Sequence, residues 1–136
     1  MPTQIFVNIQ VKDLQRSMSF YKAIGWKFNK AFTNDEAACL VISDTIYAML
    51  HTAKSIRRFV PKGRKMIDAA KQTEVLLAVS VDTRKKVDAM HAKALKAGGS
   101  AVRPAEDHGW MYGQTFSDPD GHIWELLWID PKAPQG

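Results

Sequence analysis

Apolar and polar residues alternate with a period of two at the start of the chain. Between residues 4 and 11 the alternation separates two sets, which are Ile5, Val7, Ile9 and Val11 on one side and Phe6, Asn8 and Gln10 on the other. A strand with this pattern typically packs its aliphatic set under a helix. The second set, with one aromatic and two amide side chains, is therefore expected on the opposite face of a sheet.

The spacing then changes to that of a helix. Asp13 is a favourable N-cap, Leu14, Met18 and Tyr21 recur at helical spacing, and Gly25 supplies a stop. Three runs of strand-forming residues follow, separated by polar breaks, at 26–32, 37–42 and 45–51. The first part of the chain is thus predicted to form one strand, one helix and three further strands.

The same order of elements occurs a second time. A strand at 74–81 precedes a helix that Asp82 or Thr83 caps and that Gly98 ends. Three strands are predicted after it, at 100–103, 113–116 and 123–129. This internal repeat predicts an α+β fold of two βαβββ modules, which form a curved mixed sheet with an open cavity.

The repeat also defines the domain organisation. We expect a single domain over residues 1–136, with module 1 at about 4–52, a connector at about 53–73 and module 2 at about 74–130. Within the connector, Pro61 and Gly63 break the strand pattern, and a short helix is predicted around 64–71. The connector is also a candidate lid over the cavity.

A tight turn and a strand near the end of the chain carry the first candidate for chemistry. Asp118, Pro119, Asp120 and Gly121 are turn-forming residues, and an aromatic and branched strand follows them. Glu125 is the ionisable residue within that apolar strand. Its functional interpretation is a general base or an anchor for a ligand, and its structural interpretation is a member of a polar network under the sheet.

Charge and composition narrow the range of functions. The formal net charge is +5, and the basic residues are concentrated at Lys54, Arg57, Arg58, Lys62, Arg64 and Lys65 rather than spread as a nucleic-acid footprint. Such a run is usually a solvated surface, and its functional interpretation is an electropositive rim that attracts an anionic small molecule. No run approaches the roughly 20 apolar residues that span a bilayer, so we expect a cytoplasmic protein with neither a membrane nor a nucleic-acid partner. Cys39 lies in an apolar run and is expected to be a buried structural thiol.

Two motifs resemble those of a known family. The opening VKDLQRSMSFY at 11–21 and the closing DPDGHIWE at 118–125, set in paired βαβββ modules, resemble the vicinal oxygen chelate superfamily. That superfamily includes glyoxalase I, bleomycin-resistance proteins, fosfomycin-resistance enzymes and extradiol dioxygenases. The resemblance implies the glyoxalase/bleomycin-resistance fold, and it implies a homodimer, since proteins of this size in the superfamily usually pair.

The resemblance also implies where a divalent metal would be held, because catalytic members place one His or Glu on each of four strands. The corresponding positions are Phe6, a residue at or beside Leu50, a residue near Leu76, and Glu125. Three of these four are apolar, and a single carboxylate does not hold a divalent ion. We therefore expect a degenerate site with no metal and no cofactor.

A displaced metal site is the alternative to a degenerate one. It would combine Glu125 with His51 or His122. Against it, His51 follows Leu50 directly and is expected to point to the other side of its strand, and His122 and Glu125 differ by an odd number of residues. Tyr47 and Met49 in the same run as His51 are expected to belong to the core.

Two functional classes follow from these observations. The first is a metal-free binding protein for a small planar or anionic molecule, with Glu125 as the candidate catalytic residue should any chemistry occur. The residues expected to contact the ligand are Phe6, Asn8, Gln10, Leu50, Leu76, Ser80, Trp110 and Tyr112. The second class is an enzyme, either a lyase of the lactoylglutathione-lyase type or a ring-cleaving dioxygenase, with a displaced metal or with Glu125 as a metal-free general base.

Overall fold

The computed structural model describes residues 2–134 and divides into two compact units between Asp68 and Ala69. Each unit contains one four-stranded mixed sheet and follows the order strand, helix, three strands. The predicted α+β fold of two βαβββ modules is therefore confirmed. No helix in the described part of the chain is long and apolar enough to cross a membrane.

The first unit is built around a sheet with the strand order β1-β4-β3-β2. Strand β1 runs parallel to β4, and the other neighbours are antiparallel. A 3₁₀ turn follows β2, and a short helix follows β4. The elements are β1 (Ile5–Gln10), α1 (Leu14–Ala23), β2 (Lys27–Asn29), β3 (Ala37–Val41), β4 (Ile46–His51) and α2 (Ala53–Ile56).

Helix α1 begins and ends as the sequence predicts. The Asp13 carboxylate accepts a hydrogen bond from the backbone N–H of Arg16 at 3.0 Å, and Gly25 adopts a φ of 109° just after the last turn. The helix covers one face of the sheet with a largely apolar core. The most deeply buried side chains of this core are Val11, Phe20, Tyr21, Ile24, Ala38, Leu40, Ala48 and Leu50. Cys39 is also buried, as expected, and burial raises the pKa of its thiol.

The second unit repeats this arrangement with the strand order β5-β8-β7-β6. Strand β5 is parallel to β8, and Thr83 caps the helix by accepting a hydrogen bond from the N–H of Lys86 at 3.0 Å. Val87, Phe116, Trp124 and Leu126 are buried in its core. The elements are β5 (Leu77–Ser80), α3 (Arg84–Lys96), β6 (Ser100–Asp107), β7 (Met111–Ser117) and β8 (Ile123–Ile129).

The turn before β8 has the chemistry that its sequence predicts. The Asp118 carboxylate accepts hydrogen bonds from the N–H groups of Asp120 and His122, at 3.0 and 2.8 Å. Gly121 has a φ of 101°, and a Cβ at this position would lie 2.6 Å from the carbonyl oxygen of Ala69. A side chain is therefore excluded at position 121 by both the backbone conformation and the space available.

The connector differs from its prediction. No helix forms around 64–71, where the structure has turns and irregular backbone. An isolated helix of this length is unfavourable without an N-cap and an apolar face to bury. The helix of this region is instead α2, which Thr52 caps by accepting a hydrogen bond from the N–H of Ser55 at 3.2 Å.

Candidate functional site

Each unit has a sheet face that its own helix does not cover, and we call these the first and second open faces. On the first, the pairing of β1 with β4 aligns Phe6 with Tyr47, Asn8 with Met49 and Gln10 with His51. The alternate residues of β4, Ala48 and Leu50, have no exposed surface and pack on the helix side. The first open face therefore carries the side chains of Phe6, Asn8, Gln10, Tyr47, Met49 and His51.

This geometry corrects three face assignments made from the sequence. Leu50 lies in the core rather than on the open face, and His51 lies on the open face with Asn8 rather than opposite to it. Tyr47 and Met49 are half-buried residues of the open face and not core residues. The cause is the period of two, because placing one residue of β4 on the wrong face reverses all the others.

A chain of hydrogen bonds fixes the polar side chains of the first open face. His51, which is 4% exposed, has its Nε2 atom 2.8 Å from the Asn8 Oδ1 atom and its Nδ1 atom 2.8 Å from the Ser55 Oγ atom. The neutral imidazole satisfies both contacts when Nε2–H donates to Asn8 and Nδ1 accepts from the Ser55 hydroxyl. Burial, together with the positive charge of Arg58, lowers the pKa of His51 and favours this neutral form.

The aromatic residues of the same face are arranged as a flat pair. The rings of Phe6 and Tyr47 are stacked, with centroids 4.7 Å apart and an interplanar angle of 9°. The Tyr47 hydroxyl donates to the carbonyl oxygen of Asp44 at 3.0 Å, which fixes its orientation. Phe6 is 48% exposed, so its ring offers a large apolar surface beside the Asn8 amide.

The second open face contains Glu125, and its carboxylate is paired with a cation. Strand β8 aligns Glu125 with Ala78 of β5 and with Thr115 of β7, and Thr115 in turn is aligned with Arg103 of β6. The Arg103 guanidinium forms an ion pair with the Glu125 carboxylate, and the Arg103 Nε atom lies 3.4 Å from the Glu106 carboxylate. Arg103 therefore holds the Glu125 carboxylate within the second unit.

Three other residues of the second unit that were predicted to contact the ligand are accessible to it. Ser80 and Leu76 are exposed, and Ser80 lies on the open-face side of β5 with Ala78. Trp110, which is 52% exposed, precedes β7 and stacks on the ring of His108. These three residues stay candidates for ligand contact.

Tyr112 is placed differently from its prediction. It belongs to β7, which begins before the strand predicted at 113–116, and its hydroxyl donates to the Asp88 carboxylate of α3 at 2.5 Å. This hydrogen bond, followed by burial, raises the pKa of Tyr112. Arg84 packs over the Tyr112 ring at 4.8 Å and pairs with Asp107 at 2.5 Å. Tyr112 therefore lies on the helix-covered face.

The internal repeat locates the metal-ligand positions more closely than the sequence does. Phe6 precedes the cap Asp13 by seven residues, and Leu76 precedes the cap Thr83 by the same number. The pairing of Ala78 with Glu125 in one unit corresponds to the pairing of Asn8 with Met49 in the other. The position equivalent to Glu125 is thus Met49, beside Leu50.

The donor chemistry of these positions does not fit a divalent metal. Phe6 and Leu76 have no donor atom, the Met49 thioether is a weak ligand for hard cations, and Glu125 is paired with Arg103. Among residues 2–134, no group of three His, Cys, Asp or Glu side chains lies together in a way that could hold a metal ion.

Two features of the site were missed from the sequence. The hydrogen bond between His51 and Ser55 was missed, although the sequence contains a signal for it. Ile46, Ala48 and Leu50 of β4 are all aliphatic, which favours packing of this set in the core and places the alternate set, with His51, on the other face. Arg103 was missed because its position depends on β6, whose pairing with β7 is shifted on either side of Arg103. No periodic pattern in the sequence specifies such bulges.

The architecture defines a class of protein, one made of two βαβββ modules in which the helix of each module leaves one face of its sheet uncovered. The model of the Glyoxalase/Bleomycin resistance protein/Dioxygenase superfamily matches residues 4–126. The chain belongs to this superfamily. No curated protein matches it significantly.

Solved structures with this fold cover nearly all of the chain. A hypothetical protein from S. aureus is 28% identical, with 95% of each chain covered and a TM-score of 0.77. A glyoxalase-related enzyme from Fulvimarina pelagi is 24% identical over 100% of this chain and 94% of its own, with a TM-score of 0.78. The fosfomycin resistance protein FosX from Mesorhizobium loti is 17% identical over 96% and 95%, with a TM-score of 0.68. The last two likenesses concern the fold alone.

Proposed function

We propose that this chain is a metal-independent binding protein of the superfamily, which takes a small planar or anionic molecule on its open faces. The observation that carries the proposal is the replacement of metal-binding side chains at equivalent positions of both units. Phe6, Met49 and Leu76 offer apolar or aromatic surface there, and Glu125 is paired with Arg103.

The first open face is suited to a planar ligand. The exposed face of Phe6 is held flat by its stack on Tyr47, and aromatic rings favour offset stacking on other rings. Asn8 is exposed next to Phe6, and its amide is oriented by the hydrogen bond to buried His51. A planar molecule with a polar edge would stack on the ring and form a hydrogen bond with this amide.

Binding of indole tests this function with a neutral planar probe. We expect indole to shift the amide NMR signals of β1 and β4, and cyclohexanol, which is not planar, to shift them far less. Phe6→Ala should weaken indole binding by about tenfold, which corresponds to about 1.4 kcal/mol. Phe32→Ala removes an exposed ring from the 3₁₀ turn that follows β2, rather than from β1 or β4, and should leave indole binding unchanged. Equal effects of the two substitutions would contradict a ligand site at Phe6.

The enzyme alternatives need a base or a metal that this geometry does not favour. In a lyase or ring-cleaving dioxygenase with a displaced metal, the Glu125 carboxylate would have to leave Arg103 in order to bind the ion. As a metal-free general base, Glu125 would have to accept a proton while still paired with Arg103. Homodimerisation, a cytoplasmic location and the absence of a nucleic-acid partner are further parts of the proposal, and they rest on the resemblance and the charge distribution.

A further inference from the structure

A second candidate site lies entirely within the first unit, away from the metal-ligand positions. It is a cavity of about 580 Å³ at the end of β1, beside α2 and the connector. Its walls contain four cationic side chains and no acidic one. The lining residues are Gln10, Ala53, Ile56, Arg57, Val60, Pro61, Lys62, Gly63, Arg64, Lys65 and Met66.

Local backbone geometry shapes this cavity. After α2 the chain turns, and the N–H of Phe59 donates to the carbonyl oxygen of Ile56 at 2.9 Å. A second turn follows, in which the N–H of Arg64 donates to the carbonyl oxygen of Pro61 at 3.1 Å and Gly63 takes a φ of 90°. The two turns bring the basic part of the connector to the same cavity as α2.

The cavity combines an apolar wall with a cationic rim. Ile56 is 4% exposed, and Val60, Pro61 and Met66 supply further apolar surface. A ligand that contacts this wall would gain free energy by burying apolar area of its own.

Within residues 2–134 the cations of the rim have no carboxylate partner, whereas their neighbours in the same basic run share one. Lys54 and Arg58, which do not line the cavity, lie 3.4 and 3.5 Å from the Glu36 carboxylate. The four rim cations have no carboxylate within ion-pairing distance among the described residues. These four are Arg57, Lys62, Arg64 and Lys65. Their mutual repulsion is relieved by an anion.

We propose that this cavity binds an organic anion, with its carboxylate, sulfonate or phosphate group among the rim cations and its apolar body against Ile56, Val60 and Met66. Both features are needed, because exposed charges alone give weak and strongly screened binding. The proposal adds a second site to the planar-ligand face and does not depend on it, since Gln10 is the one residue that the lining of the cavity shares with that face.

Binding of 8-anilinonaphthalene-1-sulfonate to the full chain at low ionic strength tests this proposal. We expect a saturable rise in fluorescence with one cavity site per chain, and much weaker binding of N-phenyl-1-naphthylamine, which has the same rings without the sulfonate. Arg57→Glu/Arg64→Glu should weaken binding of the sulfonate by at least about tenfold. Lys27→Glu/Lys30→Glu makes the same change in net charge elsewhere in the unit and should change the affinity less than twofold.

A further variant and a second probe distinguish binding in the cavity from binding elsewhere on the chain. Val60→Trp fills the cavity without changing any charge and should also weaken binding of the sulfonate. Thermal unfolding confirms that each variant is folded. The titration is made with saturating indole, which occupies the planar-ligand face, so that failure here differs from failure of the planar-ligand site. Equal weakening by the two double charge reversals would show a mere dependence on net charge and would overturn the proposal. Retained affinity in Val60→Trp would overturn it as well.

Discussion

The two open faces occupy equivalent places in a repeated module, but they hold their polar side chains in opposite ways. On the first face a buried neutral histidine is enclosed by Asn8 and Ser55, with contacts of 2.8 Å on both ring nitrogens. On the second face Glu125 is paired with Arg103, and both side chains are partly exposed, at 22% and 38%.

This difference shows how one backbone supports two electrostatic environments. The buried imidazole depends on neutral hydrogen bonds, because a buried charge would need compensation that its surroundings do not give. The Glu125 carboxylate is only partly buried, and Arg103 and solvent both stabilise it. Stability should therefore depend strongly on the network of the first face and weakly on the ion pair of the second.

Removing one hydrogen-bond or ion-pair partner from each face gives the largest expected difference in the free energy of unfolding. Ser55 is fully buried, and Ser55→Ala leaves the His51 Nδ1 atom without its donor, which should reduce the free energy of unfolding by about 1–3 kcal/mol. Glu125→Gln, the matched change on the second face, should cost less than about 1 kcal/mol because the ion pair is partly exposed. Urea denaturation of both variants measures the difference, and equal losses would contradict it.

The pH dependence of stability gives a smaller contrast. A histidine with a lowered pKa in the folded state binds fewer protons there than in the unfolded chain. Its stabilising contribution is complete above the unfolded pKa of about 6.5 and declines as the pH falls towards the folded pKa. His51→Gln should therefore make the loss of stability with acid shallower, by at most about 1.4 kcal/mol per pH unit.

The control for the pH experiment is a histidine outside the network. His108 has a side chain that is 53% exposed, and His108→Gln removes a histidine without touching the hydrogen bonds of the first open face. Thermal or urea unfolding between pH 5 and pH 8 measures all three proteins. A His51→Gln slope equal to that of the unchanged protein would show that His51 is not the neutral residue described for the first face.

The sequence was sufficient to predict the two modules, because the patterns that specify their helices and strands act within a few residues. The cap at Asp13, the stop at Gly25 and the alternation of β1 each act within a few residues, and the structure confirms them. The turn at Asp118 is of the same kind. Signals of this range predict element types and their order.

The candidate sites could not be predicted from the alternation of apolar and polar residues alone. Whether Leu50 or His51 faces the helix is a choice between two registers, and the wrong choice removed His51 from its partners. The pair of Arg103 and Glu125 spans three strands and depends on bulges in β6. The connector cavity depends on two turns whose positions the basic residues do not specify.

The most direct test of a binding protein that has lost its metal site is the metal content of the chain itself. Elemental analysis would be made on protein purified without chelator, and again after incubation with nickel, zinc or iron and dialysis. We expect no ion above background, and no difference between the unchanged protein and Glu125→Ala. One tightly held ion per chain that disappears in Glu125→Ala would contradict the loss of the site and would favour the metalloenzyme alternatives.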